Sequence, residues 1–114
     1  MTLTVGDLAR ASGVAPSAVR FYETHGLLVA HRTSGNQRRF EEADVCRTKV
    51  IRVAQRVGMS VAEIRRALDD LPPEPSPDDW QRLAENLVAE ARRRIDHLQR
   101  VLGEITGGDR LCDL

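Results

Sequence analysis

The stretch TVGDLARASGVAPSAVRFYETHGLLVAHRTSGNQRRF, residues 4 to 40, decides the fold. Thr4 followed by Asp7 is a capping-box start, with a carboxylate in the first helical turn. Val5, Leu8 and Ala9 then recur at helical spacing, and Gly13 supplies a left-handed stop. Pro16 suits the first position of a second helix. Val19 and Tyr22 lie three apart on it, and Ser17, Arg20, Phe21 and part of Tyr22 form a face left partly exposed. Gly26 ends it. Two short helices around a glycine-containing turn predict a helix-turn-helix. Leu27-Leu28-Val29-Ala30 reads as a short strand, Thr33 to Asn36 as a turn, and Gln37 to Phe40 as the returning strand. The hairpin so formed has Leu28 and Phe40 on its buried side.

Outward from this stretch the chain reads as helical. A third helix is expected from about Glu42 to Val57, with Glu41, Glu42 and Asp44 at its start, Gly58 at its stop and an apolar stripe of Val45, Val50, Ile51, Ala54 and Val57. Ser60 and Glu63 cap a fourth, from Val61 to about Asp70. LPPEPSP, residues 71 to 77, holds four prolines in seven residues and breaks the helix into a stiff elbow. Ser76, Pro77 and Asp79 then open a long helix that meets no further breaker until Gly103, close to thirty residues or about 42 Å. Trp80, Leu83, Leu87, Ala91, Ile95, Leu98, Leu102 and Ile105 advance along it in steps of three and four, a coiled-coil seam. One helix cannot fold back on itself, so the seam calls for a second copy.

The expected class is therefore mainly α: a winged helix-turn-helix DNA-binding domain with a small β-hairpin wing, followed by a long C-terminal dimerisation helix that forms an antiparallel coiled coil in the dimer. The divisions are a head at 1–71 that includes the helix pair 42–70, a Pro-rich elbow at 72–77, a dimerisation helix at 78–106 and a flexible tail at 107–114.

Charge follows the same division. The net formal charge is zero over 114 residues, but residues 1 to 58 hold nine Lys/Arg against five Asp/Glu, and residues 59 to 114 hold eight against twelve. A basic head on an acidic body suits a polyanionic partner. Sixteen of the seventeen basic residues are arginine, the better fork for phosphate and guanine; Lys49 is the exception. Biased codon usage accounts for that excess equally well. Two cysteines, Cys46 and Cys112, make neither a metal motif nor a disulfide scaffold. His25, His31 and His97 are not grouped at ligand spacing. No apolar run reaches the roughly 20 residues that span a membrane, and no signal peptide opens the chain, so a cytoplasmic location is the default.

Candidate DNA contacts follow from these placements. Ser17, Arg20 and Tyr22 on the second helix are donors that reach phosphates and base edges. Arg32, Gln37, Arg38 and Arg39 cluster about the wing turn, where they would clamp the flanking backbone. Lys49, Arg52 and Arg56 line one face of the third helix and extend the positive track. The plainer reading of such cations is a solvated surface, and Tyr22 under that reading packs beneath the wing. No nucleophile–base pair, phosphate loop or metal motif supports an enzyme.

The chain resembles the MerR family of bacterial transcription regulators. The resemblance rests on V-x-D-L-A-x-x-S-G-V at 5–14, A-V-R-F-Y-E at 18–23, G-L-L at 26–28, R-R-F at 38–40, and Gly58-Met59-Ser60-Val61 followed by Glu63-Ile64. SGNQRRF (34–40), AQRVGMS (54–60) and Asp78-Asp79-Trp80 place it nearest the SoxR-like redox-sensing branch. The resemblance implies a homodimer on a pseudo-palindromic operator in double-stranded promoter DNA. Such dimers bend and untwist an over-long promoter spacer and so act on RNA polymerase indirectly. By position it assigns Ser17, Arg20 and Tyr22 to the recognition helix, Gln37, Arg38 and Arg39 to the wing, and Arg56 to a flanking phosphate. SoxR-like relatives also carry a [2Fe–2S] cluster on four cysteines just after the dimerisation helix. Here that segment, GEITGGDRLCDL, offers Cys112 alone, so no cofactor and no metal site are expected. Cys112 is a weak candidate sensor thiol, beside the simpler reading of an ordinary tail cysteine. The alternatives are a dimeric coiled-coil interaction module with a vestigial head, or a DNA-binding repressor without an effector response.

Overall fold

The computed structural model describes residues 2–108, 110 and 112 and divides the chain into two units, residues 1–72 and 73–114. The first unit begins with α1, Val5–Ser12, and α2, Pro16–Thr24. The Thr4 hydroxyl accepts from the Asp7 amide at 3.0 Å while the Asp7 carboxylate accepts from the Thr4 amide at 3.2 Å. Hydrogen bonds from Thr4 to the carboxylate, its backbone N–H first, hold the Asp7 pKa below its ordinary value. Gly13 follows with φ 73°, and Val14 N–H reaches back to the Ala9 carbonyl at 3.0 Å, a Schellman ending. The helix-turn-helix therefore forms as its caps foretell.

The wing is smaller and later than the sequence suggests. Its strands are β1, His31–Arg32, and β2, Arg38–Arg39, antiparallel with His31 opposite Arg39 and Arg32 opposite Arg38. Leu27 to Ala30 is not a strand, although it is apolar and partly β-branched. The amides of Leu27 and Leu28 both donate to the Tyr22 carbonyl, at 2.8 and 3.3 Å, and Arg47 Nε donates to the Leu27 carbonyl at 2.9 Å. Backbone groups engaged in closing α2 are not available to a ladder. Leu28 and Phe40 are nevertheless buried as expected. Asn36 occupies the left-handed region at φ 61°, where Asn is tolerated, and its amide donates to the Thr33 carbonyl to close the turn. At the wing base, Leu3 and Phe40 exchange two backbone hydrogen bonds of 2.7 Å, a pairing that no local pattern announces.

Helices α3, Ala43–Val57, and α4, Val61–Asp69, complete the first unit. Ser60 and Glu63 form the reciprocal capping box at the start of α4. The core collects Leu8, Val19, Leu27, Leu28, Phe40, Ile51, Ile64 and Leu68. Thr48 joins it, fully buried, because its hydroxyl donates to the Asp44 carbonyl one turn back and so brings no unsatisfied group inside. Val45, Val50 and Val57 of the expected stripe are only half-buried.

The second unit is dominated by α5, Pro77–Thr106, thirty residues opened by Pro77 and the Ser76–Asp79 capping box. At 1.5 Å per residue it is about 45 Å long. Hydrogen bonds from Ser76 lower the Asp79 pKa. Leu83 is buried and Trp80, Leu87 and Ala91 are half-buried, whereas Ile95, Leu98, Leu102 and Ile105 are 50 to 64% exposed. The tail expected at 107–114 falls partly outside the described residues. No helix among the described residues is long and apolar enough to cross a membrane.

Candidate nucleic-acid interface

Helix α2 separates its residues by face. Ser17, Arg20, Phe21 and Thr24 stand at positions i, i+3, i+4 and i+7, so they share one side, and all four are exposed. Phe21 is 42% exposed, and its ring lies 4.2 Å from that of His25. Val19 and Tyr22 occupy the opposite side and are buried.

Tyr22, placed partly on this face and as a candidate DNA contact by the sequence, lies beneath it instead. It is 3% exposed, and its hydroxyl donates to Gln55 Oε1 of α3 at 2.6 Å. The reason is the helical period: three residues after buried Val19, Tyr22 has to follow it inward. Burial raises the pKa of the hydroxyl above its ordinary 10.0, only partly offset by the charge of Arg52, so it stays a neutral donor.

The wing is tied to the same helix. Arg38 Nε donates to Glu23 Oε1 at 2.5 Å, and Glu23 stands one turn beyond Arg20. Arg32 lies opposite Arg38 in the ladder and donates to the Asn36 carbonyl at 3.3 Å. Arg39 donates to Gln37 Oε1 at 3.0 Å and to the Arg38 carbonyl at 3.2 Å. Ser17 and Arg20 thus share one face of α2, while Arg32, Gln37, Arg38 and Arg39 share one hairpin that Glu23 fastens to that helix.

Helix α3 divides its cations. Lys49 and Arg56 are exposed, Arg56 in the last turn next to Gln55. Arg52 Nη1 donates to the Gly13 carbonyl at 3.0 Å, so this arginine braces the turn between α1 and α2 as well as adding charge. Glu23, Gln55 and the bracing role of Arg52 were not foreseen in the sequence. Glu23 had one signal, an acid one turn from Arg20 on a helix beside an arginine-bearing hairpin.

Cys46 and Cys112 are both exposed. Among the described residues no group of three or more His, Cys, Asp and Glu side chains is placed to hold a metal ion.

Comparison with known proteins agrees with this geometry. The family described as MerR HTH family regulatory protein matches residues 3–71, and that described as MerR, DNA binding matches residues 45–107. A SoxR-homologue transcriptional activator from Chromobacterium violaceum is 42% identical over 106 residues, covering 91% of this chain and 72% of that protein. A mercuric resistance operon regulatory protein from Pseudomonas fluorescens is 36% identical over 100 residues, covering 87% of this chain and 69% of that one. Among solved structures, HiNmlR, a MerR family regulator lacking the sensor domain and bound to promoter DNA, superposes with a TM-score of 0.63 at 27% identity, covering 90% of this chain and 79% of that chain. PbrR691 from Ralstonia metallidurans CH34, in complex with lead(II), gives 0.58 at 28% identity, covering 92% and 84%. By sequence and by fold the chain belongs to the MerR family of helix-turn-helix transcriptional regulators.

Proposed function

We propose that the chain forms a homodimer that binds promoter DNA, with α2 in the major groove and the wing on the flanking backbone. The observation that carries this is the exposed α2 face of Ser17, Arg20, Phe21 and Thr24 beside an arginine-bearing hairpin clasped to the same helix. Ser17 and Arg20 supply donors for base edges and phosphates, and Phe21 supplies an apolar surface suited to a thymine methyl. Arg32, Gln37, Arg38 and Arg39 serve the backbone beside the groove, and Arg56 serves a phosphate further out. Tyr22 supports the reading face from behind through Gln55. The promoter-bound HiNmlR relative supports the same partner for this chain.

The exposed Ile95, Leu98, Leu102 and Ile105 on α5 support pairing through an antiparallel coiled coil. Two linked heads then read a pseudo-palindromic operator and distort the spacer between them, reaching RNA polymerase through the DNA. In this reading the protein works in the cytoplasm, by binding and not by catalysis. The residues present do not fit a [2Fe–2S] cluster, which takes four thiolates where this chain has two cysteines, one on α3 and one beyond α5. Iron analysis and the visible spectrum of anaerobically purified protein check that point; a charge-transfer band with two irons per chain would overturn it.

Anisotropy titration on the protein's own promoter region tests the main reading. Operator binding should exceed binding to scrambled DNA, and Arg20→Ala should weaken it by about 1–3 kcal/mol. Binding that ignores sequence, or is untouched by Arg20→Ala, contradicts it.

A further inference from the structure

An acid on a recognition helix works against DNA affinity, because neutralised phosphates supply most of the attraction. Glu23 is such an acid, one turn from Arg20. Its side chain is only 19% exposed, against 39% for Arg38, and its Oε1 accepts from Arg38 Nε. The guanidinium is a rigid planar fork, so a carboxylate bonded at Nε lies to its side and leaves the Nη1–Nη2 end for a second acceptor. That end can take a phosphate through two parallel N–H bonds.

The wing has little else to hold its direction. Its ladder is two residues per strand, too short to be stable alone. Its base is pinned by the Leu3–Phe40 pairing and by His31 against Glu41 at 3.1 Å. Among the described residues, the hydrogen bond joining the hairpin to α2 is the one between Arg38 and Glu23.

We propose that Glu23 is a positioning residue that sets the wing against the recognition helix and aims the outer edge of Arg38 at the DNA backbone. This rests on the reading of the chain as a sequence-specific DNA binder. The Glu23 carboxylate weakens general attraction to DNA and in return fixes the distance between groove contact and backbone contact, so its effect lies in discrimination. Removing its charge has opposite consequences for the two kinds of binding. Non-specific binding strengthens, because one repelling charge is gone. Operator binding weakens, because helix and wing no longer arrive in register.

The test is a double-mutant cycle of Glu23→Gln and Arg38→Gln in the full chain, with anisotropy titrations on operator and scrambled duplexes over a salt series. Glu23→Gln should lower the operator-to-scrambled affinity ratio about five- to tenfold, part of one well-placed contact, while tightening binding to the scrambled duplex. In the double variant the ratio should match that of Arg38→Gln alone. Equal tightening on both duplexes would reduce Glu23 to a repelling charge and overturn the proposal, as would additive effects. Should the wild-type chain itself show no operator preference, the functional reading fails first, and the clasp is then judged without DNA. In that case amide exchange across residues 31–39 decides: faster in Glu23→Gln supports the clasp, unchanged refutes it.

Discussion

The hydroxyl of Tyr22 and the side-chain carbonyl of Gln55 meet at 2.6 Å, joining α2 to α3 across thirty-three residues of chain. Because Tyr22 is the only tyrosine, this contact can be followed by its own absorbance. Burial disfavours the phenolate, so the folded chain holds the proton to higher pH than the ordinary 10.0. The stability the group contributes is complete below that value and is lost as pH rises through the folded-state pKa. Alkaline titration should place phenolate formation above 10.0 in the folded protein and return it to the ordinary value in denaturant. Tyr22→Phe should cost about 1 kcal/mol in urea unfolding and remove this pH dependence. A folded-state titration at or below the ordinary value contradicts the burial argument.

Ser12, at the end of α1, is buried, and among the described residues its hydroxyl has no hydrogen-bond partner. An unsatisfied buried hydroxyl carries its desolvation cost without return. Ser12→Ala is therefore expected to leave stability unchanged or raise it by up to about 1 kcal/mol. A clear drop in the denaturant midpoint would show that the hydroxyl has a partner after all.

Gly26 closes α2 at φ 74°, and a Cβ built there would stand 3.3 Å from the Arg65 guanidinium carbon. Left-handed backbone costs a non-glycine residue roughly 1–2 kcal/mol. Gly26→Ala should lower stability by about that amount. Adding Arg65→Ala should relieve only the steric share. Full recovery in the double variant would mean that backbone strain is negligible at this turn.

Phe21 offers an apolar ring on the exposed face of α2. If it meets a thymine methyl, Phe21→Ala should weaken binding to the native operator by about 1 kcal/mol or more. Replacing the operator thymines one at a time by deoxyuridine should weaken wild-type binding at one position, and there leave Phe21→Ala unaffected. Equal sensitivity of both proteins at every position excludes the contact.

Leu98 is 64% exposed on α5. Leu98→Asp places a charge in the proposed seam and should shift sedimentation toward monomer at micromolar concentration, with loss of operator binding. A dimer that survives this substitution does not use the seam.

What was legible in the sequence was local. The capping boxes of α1, α4 and α5 each lie within three residues, and each predicts its helix start. The face of α2 was legible by period for Ser17, Arg20 and Phe21, and the same period misled where Tyr22 was shared between two faces. What was not legible is carried by pairs far apart in the chain: Arg38 with Glu23, Tyr22 with Gln55, Arg52 with Gly13, Leu3 with Phe40. The misplaced strand at Leu27 to Ala30 has the same origin. Its residue types favour a strand, but its first two amides were already taken by the end of α2.

The cations proposed to face DNA, Arg20, Arg32, Arg38, Arg39 and Arg56, are all arginine, and this limits how a cell could loosen that contact. Arginine keeps its charge across any pH at which the fold survives, and it escapes the acyl transfer that silences lysine. Lysine acylation has one address in the whole chain, exposed Lys49 on α3. Acidification and acetyl donors therefore leave the positive charges of Arg20, Arg32, Arg38 and Arg39 in place. Ionic strength, which competes for the phosphates themselves, is the general solvent variable to which this surface yields.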